Sequence, residues 1–168
     1  MTTRPAFWVI GDGSSSRTKD IGAWAAMAIA GENVTRQLLW GIHFPSTISR
    51  CELLPIIEGL RFIKYTWHPD RASLIRVYSD SEYTIRTLSG EYPRKKNEEL
   101  WAAVDEAARG LTVQYRWRER NSTGYGTLAD AICGPLRRTM IDYMSKLVKD
   151  PRAPEPDIPM LALPEKTE

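Results

Sequence analysis

The sequence predicts an α/β fold in which a mixed sheet carries helices on its faces. Three observations predict it. Three apolar, strand-like runs follow one another up to Phe44, joined by short turns, which reads as an antiparallel meander. The spacing then turns helical over Ser46–Tyr65, where Leu53, Ile56, Ile57, Leu60 and Ile63 form one apolar stripe. Beyond that helix, strands and helices alternate, a pattern that adds strands to a helix-covered sheet.

The first strand is expected over residues 6–12. There Phe7-Trp8-Val9-Ile10 runs into Gly11-Asp12 and then into Gly13-Ser14-Ser15-Ser16. Four apolar residues ending in a carboxylate and small residues read as a buried strand followed by a turn. Ile21–Gly31 is the second strand, because Gly22 and the Gly31-Glu32-Asn33 turn signal favour strand over helix. Val34–Phe44 is the third, with Leu38, Trp40 and Ile42 on one face at period 2. In the helix that follows, Thr47 or Ser49 can cap the start. Pro55 requires that this helix begin near Ser49 or bend at the proline.

Leu74–Tyr78 is the fourth strand and runs into Ser79-Asp80-Ser81, again strand, carboxylate, small residue. A short helix over Glu82–Leu88 takes Asp80 or Ser81 as its cap. A basic loop over 90–97 leads to a helix over Glu98–Arg109, which carries Leu100, Trp101 and Val104 and stops at Gly110. Leu111–Trp117 alternates cleanly as the fifth strand, 118–126 is a loop, and Thr127 to about Lys149 is the closing helix. From Asp150 onward, Pro151, Pro154, Pro156, Pro159 and Pro164 exclude helix and sheet. One domain is therefore expected over 1–149, with a Pro-rich, disordered or extended tail over 150–168.

Composition narrows the classes. A chain of 168 residues with 42% hydrophobic and 26% charged residues suits one soluble domain with a real core. A net charge of +2 neither demands nor excludes nucleic acid, so local residues must decide. No apolar run approaches a membrane span, and the N-terminus lacks a signal-peptide core. Cys51 and Cys133 lie far apart with no metal spacing, so both are read as reduced thiols of a cytoplasmic protein.

Four acidic residues share a placement. Asp12 and Asp80 end strands, while Glu52 and Asp130 are expected in the first turns of helices. A right-handed crossover makes strands one and four neighbours, which sets Asp12 beside Asp80. Each residue alone has a plain explanation as a turn residue, a cap or a partner of the helix dipole. Glu58 rivals Glu52 but sits in mid-helix, where a solvated or structural role fits better. As a set, four carboxylates repel unless a cation compensates. Oxygen donors without His or Cys select Mg²⁺ or Mn²⁺, and two such ions suit phosphodiester hydrolysis.

Five segments together resemble the ribonuclease H family: Ile10-Gly11-Asp12-Gly13-Ser14, Ser49-Arg50-Cys51-Glu52-Leu53, Tyr78-Ser79-Asp80-Ser81-Glu82-Tyr83, Lys96-Asn97-Glu98-Glu99-Leu100-Trp101 and Leu128-Ala129-Asp130-Ala131-Ile132. The resemblance runs in order over about residues 6–138. It implies an RNase H-like fold, a five-stranded mixed sheet in the order 3-2-1-4-5. It implies an endonuclease that cuts the RNA strand of RNA–DNA hybrids with two Mg²⁺ or Mn²⁺ ions. Asp12, Glu52, Asp80 and Asp130 become the catalytic metal ligands, with Asp12 bridging both ions. Gly13, Ser14, Ser49, Asn97 and Asn121 become substrate contacts, and Arg94-Lys95-Lys96 can touch phosphates.

The sequence departs from the family pattern in places. The loop 118–126 holds no His, where the bacterial type often has one; its Arg118-Glu119-Arg120-Asn121 run is similar to another branch of the superfamily. Ile48 and Ser49 stand where minor-groove-reading asparagines are usual, and Glu82 stands for a Gln. The competing readings are a junction-resolving DNA nuclease and a non-catalytic nucleic-acid-binding protein on the same scaffold. The segment Ile158–Pro164 is a short apolar patch that can dock a protein partner, and the nuclease itself is expected to be a monomer.

Overall fold

The computed structural model describes residues 6–31, 35–120, 124–152 and 154. The chain runs β1 (Phe7–Ser15), β2 (Gly22–Ala30), β3 (Thr35–His43), α1 (Ile48–Phe62), β4 (Leu74–Ser79), α2 (Glu82–Leu88), α3 (Glu98–Ala108), β5 (Thr112–Trp117) and α4 (Gly124–Lys149). A π-helical turn, Ile63–Trp67, extends α1. The five strands form one sheet in the order β3-β2-β1-β4-β5. The first three strands pair antiparallel, while β1–β4 and β4–β5 are parallel. This is the expected order and the expected mixed sheet. Most of the tail, including Ile158–Pro164, lies outside the described residues.

Strand alternation sorts the core into two layers. Val9, Ala26, Ala28, Ile75 and Val77 face Ile56, Leu60 and Ile63 of the first helical unit. Leu53 and Ile57 continue that layer against Leu100, Trp101 and Val104 of α3. Ala25 points the other way, onto Ala129, Ile132 and Cys133 of α4. Helices therefore cover both faces of β1 and β2. Trimming Ile56 to Ala should cost about 2–5 kcal/mol, read as a lower urea midpoint, because its neighbours come from three elements.

Two boundaries differ from the sequence expectation. β1 does not turn at Gly13; it stays paired with β2 as far as Ser15, and the turn follows, closed by Ser16 N–H donating to Ile21 O at 2.8 Å. The small residues read as turn formers serve packing instead, since Cβ at Gly13 would run into the Cys51 carbonyl of α1. α1 begins at Ile48, beside Ser49 as expected, which leaves Pro55 two turns inside the helix. Proline has no N–H, so the Cys51 carbonyl cannot accept the usual bond from residue 55. That carbonyl lies against Gly13, and the Pro55 ring lies against Gly11, where a Cβ would be 2.7 Å away. The proline thus fits the helix to the glycine-lined strand. The other difference is α4, which begins at Gly124, so the predicted loop over 118–126 is shorter than expected.

On β3, Leu38, Trp40 and Ile42 do share a face, but Trp40 is 42% exposed because β3 is the sheet edge. Thr47 caps α1 through its hydroxyl, which accepts from Arg50 N–H. Ser81 caps α2 in the same way from Thr84 N–H. Gly110 stops α3 with φ +79°. Both cysteines are buried and unpaired. Among the described residues, no helix is long and apolar enough to cross a membrane.

Candidate active site

The site forms because β1 outruns its parallel neighbour. β1 pairs with β4 only as far as Ile10, opposite Tyr78, yet continues along β2 to Ser15. Asp12 therefore stands in mid-strand, opposite Ala25, with no β4 residue beside it. The gap is open to Asp80, the residue after β4 ends. Glu52 reaches it from the second turn of α1, one turn later than the sequence suggests. Ser79 guides it there, donating from Oγ to Glu52 Oε2 at 3.5 Å. One carboxylate oxygen from each of Asp12, Glu52 and Asp80 lies within 4.8 Å of the other two.

Supporting bonds fix the backbone around this cluster. Gly13 N–H donates to Asp12 Oδ1 at 2.8 Å, and Cys133 Sγ–H donates to the Asp12 carbonyl at 3.3 Å. Trp117 Nε1–H donates to the Asp80 carbonyl at 3.0 Å, so β5 holds the end of β4. Asp12 is only 5% exposed. Burial and the charge of Asp80 push its carboxyl up to about 7, against the opposing pull of the Gly13 N–H and Arg120. Burial first, and then Asp12 and Asp80, push Glu52 up to about 8. A site that holds carboxylates this close, with protons bound against their normal tendency, has the donor set of a hard divalent cation.

Asp130 stands apart. It lies in the second turn of α4, and it meets the other carboxylates through a guanidinium. Arg120 Nη2 lies 2.8 Å from Asp130 Oδ1, and its Nε lies 3.6 Å from Asp80 Oδ2. Arg120 is the site residue that sequence reasoning missed. The signal was the Arg-rich run after β5, but a cation was not sought in a site expected to hold only anions.

A family model, RNase H, matches residues 4–124. The chain belongs to the ribonuclease H family. The ribonuclease H of Cupriavidus metallidurans is 28% identical over 138 residues, which cover 74% of this chain and 90% of that protein. The ribonuclease H of Aromatoleum aromaticum is 33% identical over 119 residues, 63% of this chain and 72% of that one. Among solved structures, the N-terminal RNase H domain of a Mycobacterium tuberculosis protein, fused to maltose binding protein, superposes with a TM-score of 0.70 at 18% identity. It covers 82% of this chain and 97% of its own. LC11-RNase H1, solved with an RNA/DNA hybrid, gives 0.69 at 14% identity, covering 80% of this chain and 99% of that one.

The expected substrate contacts of this ribonuclease H family member scatter around the cluster. Gly13 is buried against α1, while Ser14 accepts from Arg137 Nε–H at 3.0 Å, two residues along the same strand face as Asp12. Ser49 is half-buried in the first turn of α1. Arg94 is paired bidentately with Asp105, at 2.5 and 2.8 Å, and lies over the Trp101 ring. Lys95 and Lys96 are exposed. Asn97 opens α3 in a left-handed conformation, and its carbonyl accepts from Leu100 and Trp101 N–H. Asn121 lies outside the described residues. Trp101 is core, as its spacing suggested, with its indole N–H on the Lys96 carbonyl at 2.7 Å. Glu58 pairs with Arg61, away from the cluster. His43 sits by Arg50 and Glu99, where burial and the Arg50 charge lower its imidazole.

Proposed function

We propose that this protein is a metal-dependent ribonuclease H that hydrolyses the RNA strand of RNA–DNA hybrids. The observation that carries the proposal is the convergence of Asp12, Glu52 and Asp80 in a chain of this family. The donor set of three carboxylates, without His or Cys, fits Mg²⁺ or Mn²⁺. In this reading Asp12, Glu52, Asp80 and Asp130 would hold two such ions. Bound there, the ions would activate a water and neutralise charge on the leaving oxygen.

The chain's own residues supply the rest. Ser79 and the Trp117 indole hold Glu52 and the Asp80 backbone in register. Lys95 and Lys96, exposed at the start of α3, offer charge to the hybrid backbone, and Ser14 offers a hydroxyl beside Asp12. The complex of LC11-RNase H1 with an RNA/DNA hybrid supports this substrate class. The reading extends to a nuclease domain over 1–149, a monomeric cytoplasmic enzyme, and a tail over 150–168 that takes a protein partner.

The test compares a labelled RNA–DNA hybrid with duplex DNA, duplex RNA and a four-way junction. Wild type and Asp80→Asn are assayed with Mg²⁺, with Mn²⁺ and with EDTA. Cutting of the hybrid's RNA strand alone is expected, abolished by the substitution and by EDTA. Cutting of the junction would make the protein a DNA nuclease, and binding without cutting would make it a non-catalytic hybrid-binding protein.

A further inference from the structure

The carboxylates of this site are not all alike in their surroundings. Asp12, Glu52 and Asp80 converge without an intervening cation, while Asp130 is joined to Asp80 by Arg120. The guanidinium lies where a cation shared by Asp80 and Asp130 would have to lie. We propose that Arg120 is a tethered cation that occupies the second ion's position, so that the two divalent ions bind in order, the second only after Arg120 withdraws. Arg120 acts through the ion and is a positioning residue rather than a catalytic one. This inference rests on the metal-dependent reading above.

Three observations support it. The contacts are to two of the four expected ligands, 2.8 Å from Asp130 Oδ1 and 3.6 Å from Asp80 Oδ2. The charge also acts beyond its contacts, pulling against the upward shifts of Asp12 and Glu52. Finally, the Arg120 side chain is 62% exposed. It can leave without opening the core, since its head is held by ion pairs and not by packing. A surface-exposed pair with a carboxylate is weak enough to yield to a divalent ion, which carries twice the charge.

The order follows from electrostatics. A first ion taken up by Asp12, Glu52 and Asp80 relieves the repulsion among the three most crowded carboxylates. It also repels the Arg120 guanidinium, since both would share Asp80. The withdrawn side chain then frees Asp130. Arg120 thereby lowers the affinity for the second ion more than for the first, whose ligands it meets only through the longer contact to Asp80.

The test is Mn²⁺ titration of the full chain by calorimetry at low salt, with wild type, Arg120→Ala, Arg120→Lys and Asp80→Asn. Wild type should show a tight and a weak event. Arg120→Ala should tighten the weak event about tenfold, and leave the tight one nearly unchanged. Arg120→Lys, which keeps the charge, should stay near wild type. The gap between wild type and Arg120→Ala should shrink at high salt, which a packing role would not produce. An Arg120→Ala titration that superimposes on wild type overturns the inference while leaving the metal-dependent reading intact. A wild type that takes up no Mn²⁺, or an Asp80→Asn that takes it up equally well, overturns the reading itself.

Discussion

Asp12→Asn should lower cleavage of hybrid RNA by about three orders of magnitude or more, while making the metal-free protein more stable at alkaline pH. The first effect follows from position. Asp12 is the most buried carboxylate of the Asp12–Glu52–Asp80 cluster, and in the proposed mechanism losing it removes several kcal/mol of charge stabilisation at the reacting phosphate. The second effect follows from burial. In the folded, metal-free chain the Asp12 carboxyl is pushed up to about 7 and that of Glu52 up to about 8. Both groups hold their protons more tightly folded than unfolded. The resulting stability is fully present below the ordinary carboxylate range and is lost as pH rises through 7 and 8. In EDTA, wild type should therefore be less stable at pH 9 than at pH 5 by several kcal/mol, at about 1.4 kcal/mol per pH unit for each carboxyl that stays protonated only in the fold. Asn at position 12 ends one of these titrations and lowers the other, so the slope should flatten. Urea melts across pH, in EDTA and then in Mg²⁺, read both effects. A wild-type slope unchanged by the substitution would mean that the carboxylates are not crowded in solution.

Much of this cluster was legible because a carboxylate at a strand end carries a local signal. Asp80 follows an apolar run and precedes small residues, and the structure puts it one residue past β4. The same pattern misled at Asp12. Gly13-Ser14-Ser15 reads locally as a turn, yet β2 pairs with it to the end, because long-range pairing outweighs weak turn preference. Glu52 and Asp130 were read as first-turn residues favoured by the helix dipole; both lie a turn further in, so that account of them does not hold. Arg120 was illegible for a different reason. Its guanidinium meets Asp80, far upstream, and Asp130, on the next helix, contacts that no local period encodes. The edge position of Trp40 is likewise a property of the assembled sheet, which alternation along one strand cannot report.

Gly13→Ala should damage fold and activity together, and the coupling identifies how the site is held. A Cβ at position 13 would overlap the backbone carbonyl of Cys51, and would sit 2.7 Å from the Cys51 side chain. Neither is the free end of a flexible group, so relief requires α1 to move away from β1. Overpacking of this kind costs about 2–3 kcal/mol. The residue after Cys51 is Glu52, so the same shift carries a ligand out of the cluster. A displacement of about 1 Å at a reacting centre costs on the order of a hundredfold in rate. The expected result is a melting temperature lower by about 5–10 °C and hybrid cleavage down by about two orders of magnitude. Gly134→Ala is the matched control. That glycine lies inside α4 just before Pro135, and beyond its chain neighbours its new Cβ would meet the tip of Arg138, at 3.4 Å, which can move aside. The helix preference of alanine is there opposed by the Pro135 ring, so stability should change by less than about 1 kcal/mol, with cleavage retained. If Gly13→Ala melts early but cleaves normally at low temperature, α1 has yielded without moving Glu52. The close approach of helix and strand would then serve stability alone. If both fall together, the glycine that lets α1 touch β1 also sets the distance between Asp12 and Glu52.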